Sequence, residues 1–225
     1  MKNIVITGTS RGIGLETALI FAKQGYQVLA LSRKMNPIFS QFPNVIALET
    51  DLTIEADLKK VADFIATNWS HVDILIHNAG ALVNKPFTDL TLADFDYVYK
   101  VNVFAVAQLT QVCIPFLKAG SHVVTISSMG GVQGASKFPG LAAYSSSKGA
   151  VITLSELLAE EYKNQQIAFN VLALGAVQTE MLAEAFPGYQ APLKPEEMGN
   201  YIADFSMNGH KFFNGKILQV SASTP

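Results

Sequence analysis

A chain of 225 residues has room for one domain with a substantial core and too few residues for two of ordinary size. With 49% hydrophobic and 15% charged residues it lies outside the compositions of disordered chains. A net charge of -2, with Lys and Arg scattered along the chain, gives no electrostatic footprint for nucleic acid, which is therefore not expected as a partner.

Residues 1–10 (MKNIVITGTS) carry one lysine and an apolar stretch that meets turn residues at once, too short for a signal peptide or a membrane span. No membrane partner is expected, and the chain reads as cytoplasmic. Residues 3–7 (NIVIT) form the first predicted strand, and TGTSRGIG at residues 7–14 leaves it and opens a helix over 12–23. Gly8, Gly12 and Gly14 permit a tight turn and a close backbone approach, while a helix N-terminus offers free N–H groups to a pyrophosphate. Strand, glycine loop and helix in this order predict a dinucleotide-binding βαβ unit.

The second strand, residues 26–32, runs into Ser32 and Arg33. A site selecting NAD commonly has an acidic residue there for the adenosine ribose. Arg33 and the loop's Arg11 instead offer two guanidinium groups to a ribose phosphate, which predicts NADP(H). Residues 33–43 hold two prolines and no apolar period, so a turn or one short helix is expected. Strands over 44–50, 72–78, 122–128, 167–174 and 216–221 alternate with helices over 54–68, 92–117, 143–162 and 195–205. Several strands are almost continuously apolar, as parallel strands buried on both faces are. The expected fold class is α/β: a single Rossmann-type domain over residues 1–225, a doubly wound parallel sheet of about seven strands with helices on both faces. Right-handed crossovers place the strand C-termini, and with them the ligand, along one edge.

Cys113 is the only cysteine, so no intrachain disulfide forms, and its apolar setting predicts a packed thiol. His71, His77, His122 and His210 lie far apart without ligand spacing, so surface or strand-end roles are expected and no metal site.

AAYSSSKGAV at residues 142–151 puts Tyr144 and Lys148 four apart, on one face of a helix. A nearby ammonium favours a phenolate, so Lys148 is expected to bring the Tyr144 phenol below its ordinary value. With this pair the ordered motifs are TGTSRGIG, DLT at 51–53, HNAG at 77–80, VN at 101–102, ISS at 126–128, YSSSK at 144–148 and LGAVQTEM at 174–181. In that order they make the chain resemble, over nearly its whole length, the short-chain dehydrogenases/reductases.

The resemblance implies hydride exchange between NADP(H) and a small-molecule carbonyl or alcohol. Tyr144 would be the general acid or base, Lys148 would hold the nicotinamide ribose, Ser128 would bond the substrate oxygen, and Asn102 would order a water in the proton relay. Cofactor contacts would come from Gly8, Ser10, Arg11, Gly12, Ile13 and Gly14, from Ser32 and Arg33, and from Asp51 and Leu52 about the adenine. Asn78, Ala79 and Gly80 would line the cofactor, and Val177 and Thr179, on the loop with Gly175, would meet the carboxamide. His77 stands where the family usually has asparagine. Leu174 stands where a proline usually precedes the glycine, which would loosen the loop over the nicotinamide. Ser128 and Tyr144 are 16 apart, a few residues more than usual, and strand alternation allows either Ser127 or Ser128, not both, to face substrate.

The expected substrate wall is apolar: Leu82, Val83, Met129, Val132, Phe138, Leu141, Met181, Leu182 and Phe186, with Lys85 and Lys137 turned to water. That predicts an uncharged ketone or aldehyde. The resemblance also implies a homodimer or homotetramer paired through the helices over 92–117 and 143–162, whose apolar Phe104, Leu109, Leu154 and Leu158 accord with it. The competing functions are a catalytically silent NADP sensor or scaffold, against which the retained Ser128, Tyr144 and Lys148 argue, and another NADP enzyme such as an epimerase or dehydratase.

Overall fold

Runs of Val, Ile and Leu without polar interruption need apolar cover on both faces, and the computed structural model, which describes residues 1–221, provides it. Residues 222–225 of the expected domain lie outside the described part. Strands β1 (Asn3–Thr7), β2 (Gln27–Ser32), β3 (Val45–Glu49), β4 (Val72–His77), β5 (Leu117–Ser128), β6 (Ala168–Leu174) and β7 (Ile217–Val220) form one sheet. All pairs are parallel, in the order β3-β2-β1-β4-β5-β6-β7. Helices α1 (Gly12–Lys23), α2 (Glu55–Asn68), α3 (Leu92–Tyr99), α4 (Ala105–Cys113), α5 (Ala142–Glu161), α6 (Glu180–Ala185) and α7 (Pro195–Asn208) connect or flank them.

Alternate strand residues serve opposite layers. Ile4, Ile6, Val28 and Ala30 pack with Phe21 of α1 and Ile202 of α7. Val5, Leu29, Leu31 and Leu75 pack with Val61 and Ile65 of α2 and Leu109 of α4. The side chains of β1 and of β2 from Val28 onward are buried on both faces, as a doubly wound sheet requires.

Three elements differ from the sequence reading. The helix expected over 92–117 is interrupted by a π-helical turn, Lys100–Phe104, and ends in a 3-10 turn, Ile114–Phe116, where Pro115 supplies no N–H. Leu117 then belongs to β5, opposite Val72, so this strand begins well before residue 122. The segment after β2, by contrast, forms the short turn expected of it, a 3-10 turn, Pro37–Gln41, capped by Asn36, whose side chain accepts from Ile38 N. Helix α6 was not expected: it has no buried residue and starts at Thr179, whose hydroxyl accepts from Leu182 N at 3.2 Å.

The four residues expected to pair between copies divide. Leu109 is fully buried and not free for a partner, while Leu154 and Leu158 are half-buried, Leu158 against the same core cluster. Phe104 and the unanticipated Leu157 are 55% and 62% exposed. Among the described residues no helix is long and apolar enough to cross a membrane.

Candidate active site

Strands β1 and β4 are neighbours, but the chain leaves β1 toward β2 on its other side. At such a switch point the loops part and open a crevice at the strand carboxyl ends. A cleft of about 1350 Å³ lies there, beyond the ~300–1,000 Å³ usual for one small ligand and roomy enough for a dinucleotide with a substrate.

Its floor is bare backbone. Gly8 has φ +73°, and a Cβ there would stand 2.8 Å from Ala79 Cα. A Cβ on Gly14 would overlap the Gly8 carbonyl oxygen and Asn78 Nδ2, so Gly14 works behind the cleft rather than lining it: its missing side chain lets α1 lie against the loop. Gly8, Ser10, Arg11, Gly12 and Ile13 do line the cleft, and α1 has no acidic residue in its first turn. This arrangement fits the pyrophosphate of a dinucleotide. Thr7, which the sequence reading passed over, stitches the two loops together. Its hydroxyl accepts from Asn78 N at 3.0 Å and Ala79 N at 2.9 Å, and Asn78 Nδ2 donates to the Thr7 and Gly8 carbonyls. A threonine closing the first strand, directly before the glycine loop, was the available signal.

Along the adenine side, Ser32, Arg33, Asp51 and Leu52 line the cleft, joined by Lys34, which was not anticipated. Ser32 Oγ donates to the Lys34 carbonyl at 2.8 Å, and Asp51 Oδ1 accepts from Thr53 N and Oγ1 at 2.9 and 2.7 Å, so both shape turns. The expected clamp of two guanidinium groups is not assembled. Arg11 donates instead to both carboxylate oxygens of Glu184 on α6, at 2.6 and 3.3 Å. Its partner comes from 173 residues away, on a helix that no apolar period announced.

On the opposite side α5 presents Tyr144 and Lys148 to the cleft. Lys148 is buried, donates from Nζ to the Ile126 carbonyl at 2.8 Å, and stands 5.8 Å from the centroid of the Tyr144 ring. Burial pushes Lys148 down to about 8. Burial also pushes the Tyr144 phenol above its ordinary value, with the Ser128 hydroxyl acting in the opposite sense. The direction is the reverse of the one expected from Lys148, because loss of water around the phenol outweighs an ammonium engaged with Ile126.

Ser128 Oγ lines the cleft and accepts from Gly130 N at 3.2 Å; Ser127 is buried and donates to the Lys148 carbonyl at 2.9 Å. Both serines border the cleft, but the Ser127 hydroxyl is spent on the Lys148 carbonyl, which leaves Ser128 as the one with a hydroxyl to offer. Asn102 does not line it. Buried on the π-helical turn, its Oδ1 accepts from Ala81 N at 2.7 Å, and its Nδ2 donates to the Ala81 carbonyl and to Ser147 Oγ, both at 2.9 Å. Both amide hydrogens are spent on protein, so the side chain fixes the β4 loop to α5 rather than reaching the cleft.

Asn78, Ala79, Gly80, Gly175, Val177 and Thr179 line the remaining cofactor side. Leu174 is buried in the core, and its loop is held by bonds from Gly175 N to the Val220 carbonyl and from Gln178 N to the Leu193 carbonyl. Of the expected substrate wall, Leu82, Met129, Phe138, Leu141, Met181, Leu182 and Phe186 line the cleft, and Tyr189 joins them. Val83 does not, and Val132 packs with Ile152 and Val171 in the core. Lys85 is paired with Asp94, and Lys137 donates to the Val132 and Ala135 carbonyls of its own loop.

His77 closes β4, one of the strand-end roles expected, but both it and His122 are buried rather than at the surface. His77 Nε2 meets Thr110 Oγ1 at 2.9 Å, and since that hydroxyl donates to the Val106 carbonyl, the imidazole is the donor. His122 lies between the Ser206 carbonyl and Asn170 Nδ2. Burial holds His77 down at about 3 and His122 at about 4. Both values are depressed below the unfolded value of 6.5, so below that pH the unfolded chain takes up protons that the folded one refuses. Stability is then expected to fall by about 1.4 kcal/mol per group for each pH unit from 6.5 toward the folded value. Denaturant midpoints against pH check this: His77→Asn should flatten the acid slope, whatever its effect at neutral pH, and an unchanged slope would show that His77 carries none of it.

A doubly wound sheet with a bare glycine loop at its switch point and, across the cleft, a half-buried Tyr and Ser with a buried Lys defines a dinucleotide-binding α/β protein with an acid-base site. The short chain dehydrogenase family model matches residues 2–190, and the chain belongs to the short-chain dehydrogenase/reductase family of oxidoreductases. It is 30% identical to the 7alpha-hydroxysteroid dehydrogenase of Escherichia coli K12 over 240 aligned positions, covering 98% of this chain and 92% of that one. It is 26% identical to the 3-oxoacyl-[acyl-carrier-protein] reductase FabG of Thermotoga maritima, covering 97% and 96%. Among solved structures, a short chain dehydrogenase of Burkholderia cenocepacia in complex with NADP superposes with a TM-score of 0.86 at 25% identity, covering 99% and 97%.

Proposed function

We propose that the protein is an NADPH-dependent reductase of uncharged ketones or aldehydes. The observation that carries the proposal is the convergence of Ser128, Tyr144 and Lys148 on the cleft whose other wall is the glycine loop. When bound, the nicotinamide supplies the hydride. Negative charge then develops on the substrate oxygen, where the Ser128 and Tyr144 hydroxyls are the donors at hand. A phenol kept protonated by burial suits the acid role of reduction. Lys148, an ammonium below about pH 8, would hold the nicotinamide ribose. Asn102 acts as a positioning residue, through Ala81 and Ser147.

For the 2′-phosphate we propose Arg33, exposed at the end of β2 with Lys34 beside it. Hydrogen bonds to a charged group contribute ~1.5–3 kcal/mol, so Arg33→Ala should weaken NADPH binding roughly tenfold or more and leave NADH nearly unchanged. Fluorescence titration with both cofactors reads this directly; equal affinity of the wild type for the two would contradict the NADPH assignment.

The apolar wall, and the engagement of Lys85 and Lys137 elsewhere, support an uncharged substrate with an apolar or aromatic flank. That the E. coli relative is named for a hydroxysteroid, a mainly hydrocarbon alcohol, accords with this. Lys100, exposed at the cleft rim, is the cation that would overturn it. Comparing kcat/KM for a neutral aryl ketone and its carboxylated analogue decides: the neutral compound is expected to be favoured, and a consistent advantage for the anion would contradict the reading. Phe104 and Leu157 would lie in the interface of a homodimer or homotetramer.

A further inference from the structure

Helix α6 forms a strap over the mouth of the cleft, tied at both sides. Its inner residues Met181 and Leu182 line the cleft, yet no residue of the helix is buried, so its tethers hold it more than packing does. On one side Asn84 Nδ2 donates to the Ala185 carbonyl at 2.9 Å. On the other, Arg11 of the glycine loop forks onto both oxygens of Glu184. A second carboxylate, Glu180, stands beside the same loop: a Cβ on Gly12 would lie 3.5 Å from its Oε2. Two acidic side chains of the strap thus face the N-terminus of α1, the place best suited to phosphate.

Arg11 has committed its end-on fork, one N–H of each terminal nitrogen, to the carboxylate. A cofactor phosphate that takes the same fork must displace Glu184, and one that takes the remaining N–H groups meets a guanidinium whose charge the carboxylate already offsets. We propose that Glu184 is a cofactor-selectivity residue that competes with the 2′-phosphate for Arg11, so that NADPH, and not NADH, releases this tether of the α6 strap as it binds. The inference rests on the NADPH reading above. It explains why two arginines at the phosphate end need not give twice the selectivity: Arg33 is available at once, while Arg11 carries the cost of an existing pair. That pair is exposed, 50% and 64% at the two side chains, so the competition is modest.

Titration of NADPH, NADH and 2′,5′-ADP against wild type, Glu184→Gln, Arg11→Met and the double variant tests the proposal. Glu184→Gln should tighten NADPH and 2′,5′-ADP about three- to fivefold, leave NADH unchanged, and have no effect on an Arg11→Met background. Glu184→Ala should act in the same direction, since the residue touches no core. Unchanged or weaker NADPH binding, or an equal gain for NADH, overturns the competition. The wild-type ratio of NADPH to NADH affinity, with its response to Arg33→Ala, reports separately on the NADPH reading. A wild type that prefers NADPH through Arg33 but is indifferent to Glu184→Gln leaves that reading standing and removes only this inference.

Discussion

Tyr144→Phe should lower kcat by ~10²-fold or more while leaving the Kd for NADPH within about twofold of wild type, the scale of losing one positioned general acid. The phenol hydroxyl is the only group removed, and burial has already put its pKa above the ordinary value, so it enters the reduction carrying its proton. Ser128 remains to bond the developing oxyanion, which is why some turnover should survive. Steady-state rates with a neutral ketone, together with NADPH titration, separate the two quantities. A variant as fast as wild type would remove Tyr144 from the chemistry, and one that lost cofactor binding equally would make it a binding residue.

Lys148→Met should fail on both measures, with NADPH bound about tenfold more weakly or worse and kcat reduced by ~10²-fold. The side chain is buried and donates to the Ile126 carbonyl, so methionine keeps most of the packing but removes the ammonium from the cofactor side. Its value of about 8 gives a second signature: wild-type NADPH binding should weaken as pH rises through that region, and Lys148→Met should show no such step. If the step persists in the variant, another group titrates there and Lys148 is not the ribose ligand.

The parallel sheet was legible because strands such as NIVIT and VDILIH must bury both faces, and no other element hides so continuous an apolar run. The glycine loop was legible because its requirement is steric. What escaped depends on longer-range geometry. Apolar residues run through Lys100–Phe104, so the sequence periodicity showed one long helix where a π-helical turn shifts the register and withdraws Asn102 from the cleft. Helix α6 carries no buried stripe, so neither it nor the partner it gives Arg11 had a periodic signature. Spacing placed Lys148 on the face of Tyr144 but could not tell that its ammonium would turn to Ile126, leaving burial to set the phenol's pKa upward.

The most direct test of the central claim follows the hydrogen itself. NADPH carrying deuterium at the transferable position of its nicotinamide C4 is incubated with the protein and a neutral aryl ketone, and the product is examined by mass spectrometry and NMR. One deuterium on the carbinol carbon, a single alcohol enantiomer, and transfer slowed by ~10²-fold or more in Tyr144→Phe are the predicted result. Cofactor that binds tightly yet transfers no deuterium to any member of a panel of uncharged ketones and aldehydes would contradict it.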